Sequence, residues 1–146
     1  MIVLDASTVG ELLLNTERGR TVAERISDPS VGLHAPHLLD VEVAQVLRRL
    51  HQAGDIDLRS AGDAIELLQQ LDLERHPHDS LLNRAWALRK NVTIYDAVYI
   101  ALAEALKAPL LVCRAHREEQ MLAAECRPPL GAYTRRVPML LSRPSG

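Results

Sequence analysis

Three acidic residues stand where their side chains could act together. Asp5 directly follows Ile2–Leu4, a short apolar run typical of a buried strand. Glu42 flanks the apolar stripe of an amphipathic segment, and Asp96 opens a nearly all-apolar one. Carboxylates that converge need a cation, because like charges raise one another's pKa, and oxygen-only ligands suit Mg²⁺ or Mn²⁺. Such a site favours phosphoryl chemistry, in which a metal activates water and neutralises the phosphate.

Each of these carboxylates also has an ordinary structural explanation. Asp5 would cap the helix that follows it, and Glu42 would pair with a nearby arginine. Asp96 lies three residues after Thr93, which is the spacing of a capping box. Asp40, on the same helix as Glu42, faces further from the apolar stripe and is the weaker candidate. Position alone leaves both interpretations open.

Histidine and cysteine give no competing motif. His34 and His37 lie near each other in sequence, as do His76 and His78, but neither pair forms a recognisable ligand motif. We expect ordinary surface histidines. The two cysteines lack the paired spacing of a zinc site and do not make a disulfide scaffold.

Strand and helix patterns alternate through most of the chain. This order predicts an α/β fold whose parallel sheet is covered on both faces, with ligands bound beyond the carboxyl ends of the strands. Ser7 or Thr8 is expected to cap the first helix. The predicted strands cover 2–4, 31–35, 71–75 and 109–112, and the predicted helices 6–16, 20–27, 37–53, 58–70, 79–90 and 94–107.

Length and composition indicate one globular domain over residues 1–146. The chain is 47% hydrophobic and 25% charged, which excludes disorder of the whole chain. Its apolar runs are too short to cross a membrane and no secretion leader opens it, so we expect no membrane association and a cytoplasmic location. The net charge is −2, which is unusual for binding nucleic acid by counterion release alone. Metal ions or a local basic patch would have to offset the carboxylates.

The last part of the chain, 113–146, differs from the rest. It contains six arginines and four prolines and carries a net charge of +3, which leaves −5 on residues 1–112. A helix over 115–125 and a fifth strand at Val137–Leu141 are expected there. Pro138 would confine that strand to an edge or a first position.

Several segments together resemble a known family. Met1–Ser7, Leu38–Val43 and Asn91–Glu104 resemble a PIN-domain ribonuclease, and more narrowly a VapC-type toxin of a bacterial toxin–antitoxin pair. Arg84–Arg89 fits the same subgroup, and the resemblance spans about residues 1–112. It implies a three-layer α/β/α sandwich around a mainly parallel, about five-stranded sheet. It also implies Mg²⁺- or Mn²⁺-dependent endonucleolytic cleavage of RNA, often tRNA or rRNA, by a homodimer that a cognate antitoxin holds inactive.

The resemblance also assigns roles to individual residues. Asp5, Glu42 and Asp96 match the family's acidic metal-site residues, which are both its catalytic residues and its metal ligands. Ser7 and Thr93 fall where polar residues support that site.

One position departs from the family pattern. Arg114 stands two positions after the strand ending at Val112, where the family usually has another acid. The alternative is therefore a PIN-fold module that binds RNA or its antitoxin with weakened or lost catalysis. A third hypothesis, a phosphatase of the haloacid dehalogenase type, would need a second acid where Ser7 stands.

Overall fold

A computed structural model describes residues 1–113 of the chain. The strands are β1 (Ile2–Leu4), β2 (Leu33–Pro36), β3 (Glu74–His76) and β4 (Leu110–Leu111). All four are parallel and form one sheet in the order β3–β2–β1–β4. The register pairs Val3 of the central strand β1 with His34 of β2 on one side and with Leu110 of β4 on the other.

Six helices of residues 1–113 flank this sheet in two groups. They are α1 (Ala6–Leu13), α2 (Glu17–Ile26), α3 (Leu38–Ala53), α4 (Leu58–Gln70), α5 (Leu82–Ala87) and α6 (Ile94–Leu106), and a 3-10 turn (Asp79–Leu81) precedes α5. Helices α1 to α4 pack against one another, while α5 packs against α6, which lies across β1, β2 and β4. The predicted α/β fold with a parallel sheet between helices is thereby confirmed.

The helix boundaries follow from local sequence signals. Asp57 and Thr93 cap α4 and α6 by accepting hydrogen bonds from backbone N–H groups in the first turn. Helix α3 ends at Gly54, whose φ of 82° is the left-handed conformation that glycine adopts freely. Helix α6 is apolar almost all round because it is buried on most sides.

Some predicted details are wrong. Asp5 caps α1, in place of Ser7 or Thr8, because its carboxylate accepts the Thr8 backbone N–H at 2.8 Å. The third strand starts later than predicted, at Glu74. Helix α5 covers only part of 79–90, because the 3-10 turn precedes it and non-helical turns follow Ala87.

The remaining predictions concern residues outside the described part. The fifth strand at Val137–Leu141, the helix over 115–125 and Arg114 all lie there. Among residues 1–113, no helix has the length and apolar character needed to cross a membrane.

Thr8 joins the end of β4 to the start of α1. Its fully buried hydroxyl donates to the Leu111 carbonyl oxygen and accepts the Cys113 N–H, both at 2.9 Å. The Asp5 N–H donates to the same Leu111 oxygen at 3.3 Å. The chain that leaves β4 is therefore held beside Asp5.

We expect Thr8→Val to destabilise the protein by about 1–3 kcal/mol, because it keeps the shape of the side chain but leaves the Cys113 N–H without its acceptor and the Leu111 oxygen with only the longer bond from the Asp5 N–H. Denaturant unfolding measures the loss. Thr21→Val is the matched control, since the Thr21 hydroxyl bonds to its own helix at an exposed position. Equal losses in the two variants would contradict a role of Thr8 in holding β4.

Candidate active site

Asp5 stands at the carboxyl end of β1 with its side chain held in place from two sides. Its Oδ1 accepts the Thr8 backbone N–H at 2.8 Å, and the Ser7 hydroxyl donates to Oδ1 at 3.0 Å and Oδ2 at 2.8 Å. Burial raises the pKa of Asp5 although these hydrogen bonds lower it, and the charge of Asp96 raises it further. Asp5 therefore caps a helix through Oδ1, while its Oδ2 accepts a hydrogen bond from Ser7 alone among the described residues.

Glu42 points from the second turn of α3 and is half-buried. Its Oε2 accepts a hydrogen bond of 2.5 Å from the hydroxyl of Tyr99 on α6. The expected arginine partner is absent from the described residues; it is the neighbouring Asp40 that pairs with an arginine, Arg75, at 2.8 Å. Burial raises the pKa of Glu42, the Tyr99 bond opposes this rise, and the charges of Asp96 and Asp5 add to it.

Asp96 lies in the first turn of α6, with its side chain exposed. Its backbone N–H donates to the Thr93 hydroxyl at 3.1 Å, so Thr93 caps the helix as predicted. Within residues 1–113 no side chain or backbone group donates to the Asp96 carboxylate. Thr93 thus fixes the start of the helix and leaves this carboxylate available.

The three carboxylates come together from three separate elements. The charge of Asp96 raises the pKa of both Asp5 and Glu42, and Asp5 raises that of Glu42. They share one partly buried region of negative potential at the carboxyl end of the sheet. A bound cation would relieve the part of these pKa shifts that comes from charge repulsion, which is smaller than the part that comes from burial.

The donors at this place fit a hydrated divalent ion. All three side chains offer only oxygen, the ligand atom that Mg²⁺ and Mn²⁺ favour. The three carboxylates do not form a closed cage. Among the described residues, the one group of three side chains whose ligating atoms all lie within 4.8 Å of one another is elsewhere, at His34, Glu74 and His76. Mg²⁺ keeps several waters and binds through one or two carboxylates, so an open arrangement of this kind suits it.

Sequence reasoning missed Tyr99, which contacts Glu42. Its position in an apolar helix suggested only core packing, and its ring is indeed buried. A buried tyrosine hydroxyl usually has a hydrogen-bond partner, and Tyr99 follows Asp96 by three residues on α6, which places the two side chains on one face. These two signals together would have identified it. Burial, and then the bond to Glu42, raise the pKa of Tyr99, so its hydroxyl stays a donor.

We expect Tyr99→Phe to raise the pKa of Glu42 further, because the hydrogen bond that favours the charged carboxylate is lost. A titration of the carboxyl groups by ¹³C NMR measures it. Tyr95→Phe removes an exposed hydroxyl one turn away and serves as the control. The interpretation is wrong if the Glu42 titration is the same in wild type and Tyr99→Phe.

Comparison with known proteins identifies the family. A family model described as PIN domain matches residues 2–114. Ribonuclease VapC9 of Mycobacterium tuberculosis is 41% identical over 113 residues, covering 76% of this chain and 84% of that protein. Ribonuclease VapC1 of the same organism is 41% identical over 110 residues, covering 75% and 82%.

A solved structure supports the same fold. The crystal structure of M. tuberculosis VapC20, described as a sarcin–ricin loop cleaving toxin, superposes with a TM-score of 0.57 at 15% identity, covering 74% of this chain and 85% of that one. At this identity the likeness concerns the fold alone, while the family model and the two closer relatives carry the assignment. This chain belongs to the PIN-domain family and, within it, to the VapC ribonucleases.

Proposed function

We propose that this protein is the toxin of a type II toxin–antitoxin system and cleaves RNA as a metal-dependent endoribonuclease. The observation that carries the proposal is the convergence of Asp5, Glu42 and Asp96 from three elements at the carboxyl end of the sheet. The ribonuclease names of relatives that match three quarters of the chain at 41% identity support it.

Asp5, Glu42 and Asp96 would hold Mg²⁺ or Mn²⁺ and are the proposed catalytic residues. When bound, the ion would activate water and neutralise charge on the scissile phosphodiester. The chain's own residues set up the ligands. Ser7 orients the Asp5 carboxylate, and Thr93 fixes the helix start that presents Asp96.

Tyr99 has a different part, which is to position Glu42 and favour its charged form. Its hydrogen bond lowers the pKa that burial raises, so more Glu42 is ionised and able to bind metal at a given pH. The pKa values of Asp5 and Glu42 are both raised, so these two groups take up protons at a higher pH than exposed carboxylates do. Because protonated carboxyl groups bind metal poorly, metal affinity should begin to fall at a correspondingly higher pH as the solution is acidified.

RNA and protein partners follow from the same proposal. The substrate would be a structured RNA such as tRNA or rRNA, and exposed Arg48 and Arg49 on α3 could contact its phosphates. Val41 and Leu58 expose 69% and 72% of their surface on α3 and α4, and such apolar surface suits a homodimer or the cognate antitoxin. The protein would act in the cytoplasm, where these partners are.

We expect Asp96→Asn to reduce RNA cleavage by about 100-fold or more, since loss of even an outer-shell partner of a metal costs up to roughly that much. The change removes the charge and keeps the backbone N–H that Thr93 caps, so the fold should persist in circular dichroism. Cleavage of total RNA by untagged protein, with and without Mg²⁺ or Mn²⁺, is the measurement.

Glu66→Gln is the control, because it removes an exposed charge from α4 and should leave cleavage unchanged. Full activity of Asp96→Asn would refute the assignment of this site.

The same assay tests the alternative suggested by Arg114, a residue outside the described part of the chain. Wild-type protein that binds RNA in Mn²⁺ without cleaving it would favour the binding module.

A further inference from the structure

A second cluster of ligating side chains lies on strands β2 and β3. His34 of β2 is paired in register with Glu74 of the edge strand β3, and Pro36 is paired with His76. Side chains alternate between the faces of a strand, so Glu74 and His76 point to one side and Arg75 between them to the other. Arg75 reaches Asp40 of α3 and the Leu68 carbonyl of α4, which places the His34 cluster on the opposite face of the sheet.

The ligating atoms have the separations of a metal site. His34 Nδ1 lies 3.0 Å from His76 Nε2 and 3.5 Å from Glu74 Oε2, and His76 Nε2 lies 3.7 Å from Glu74 Oε1. Two ligands bound to tetrahedral Zn²⁺ at about 2.0–2.1 Å are about 3.3 Å apart. The observed separations bracket this value, so an ion could enter with small side-chain adjustments.

The three side chains differ in their exposure, which gives an ion access to the cluster from solvent. His34 is only 6% exposed, and the side chains of His76 and Glu74 are 21% and 67% exposed. The two imidazoles form the inner wall and the carboxylate stands at the mouth. Three protein ligands leave a fourth tetrahedral position toward solvent, which water can fill.

The neighbouring backbone leaves room for the His34 ring. A Cβ at Gly32 would lie 3.0 Å from His34 Nε2, so the glycine leaves room for the ring.

We propose that His34, Glu74 and His76 form a transition-metal site, best suited to Zn²⁺, that joins the edge strand β3 to β2. Two imidazoles and a carboxylate are a zinc ligand set, whereas the oxygen-only group of the proposed nuclease site suits Mg²⁺ or Mn²⁺. The site is independent of RNA cleavage. Without metal, the same atoms form a hydrogen bond between the two rings with Glu74 beside it.

The test is a zinc titration of the untagged full chain in excess Mg²⁺, followed by competition with a chromophoric chelator. We expect one equivalent of Zn²⁺ to bind, and His34→Gln, His76→Gln and Glu74→Gln each to weaken binding by about 10- to 100-fold or more. Co²⁺ in place of Zn²⁺ should give the visible absorption of a four-coordinate site. Zn²⁺ should also raise the Tm of wild type, and raise that of Glu74→Gln less.

Matched variants separate this site from others in the chain. His51→Gln removes a histidine elsewhere, Cys113→Ser removes a thiol, and Asp96→Asn alters the proposed nuclease site; all three should keep full zinc affinity. Glu74 is exposed, so Glu74→Gln should fold even if His34→Gln does not. Absence of stoichiometric zinc binding, or an affinity that is unchanged in Glu74→Gln and His76→Gln, would overturn the proposal and leave a hydrogen-bonded histidine pair. RNA cleavage is scored separately, so either proposal can fail alone.

Discussion

Partial burial of carboxylates that lie near one another at the carboxyl end of the sheet is the constraint on which the site depends. The pKa values of Asp5 and Glu42 are raised, first by burial and then by neighbouring negative charge. A carboxyl whose folded pKa lies above its unfolded value stabilises the fold at low pH, and this contribution is lost as the pH rises through the folded pKa. Near neutral pH the metal-free site therefore costs stability, and a bound cation would recover it.

Hydrogen bonds hold two of these three carboxylates in place. Ser7 and the Thr8 N–H fix the Asp5 carboxylate, and Tyr99 fixes that of Glu42. Thr93 fixes only the helix start at Asp96, whose carboxylate has no donor among residues 1–113. Two of the three proposed ligands are thus oriented before any ion binds, and such supporting bonds orient the ligands of a metal site.

The sequence predicted the fold and these acidic residues because both depend on local patterns. Apolar periodicity marks α3 and α6, and the position of Asp5 after a buried strand does not depend on distant residues. The structure brings Asp5, Glu42 and Asp96 together, while their catalytic role stays a prediction. The hydrogen bond between Tyr99 and Glu42 could not be predicted from local patterns, because it joins residues 57 positions apart on two helices. Even the error over the cap of α1 has a local cause, since Asp, Ser and Thr at adjacent positions are all good caps.

The histidines show the opposite case, in which a local interpretation was wrong. His34 and His76 were expected on the surface, each near a second histidine in sequence, yet His34 is buried and its partner lies 42 residues away. Parallel pairing of β2 with β3 brings the two together, and no sequence spacing encodes that register. The two proposals give one sheet two different sets of metal ligands. The two imidazoles at β2 and β3 would favour Zn²⁺, and the oxygen-only side chains at the carboxyl end would favour Mg²⁺ or Mn²⁺, because these ions prefer different donor atoms.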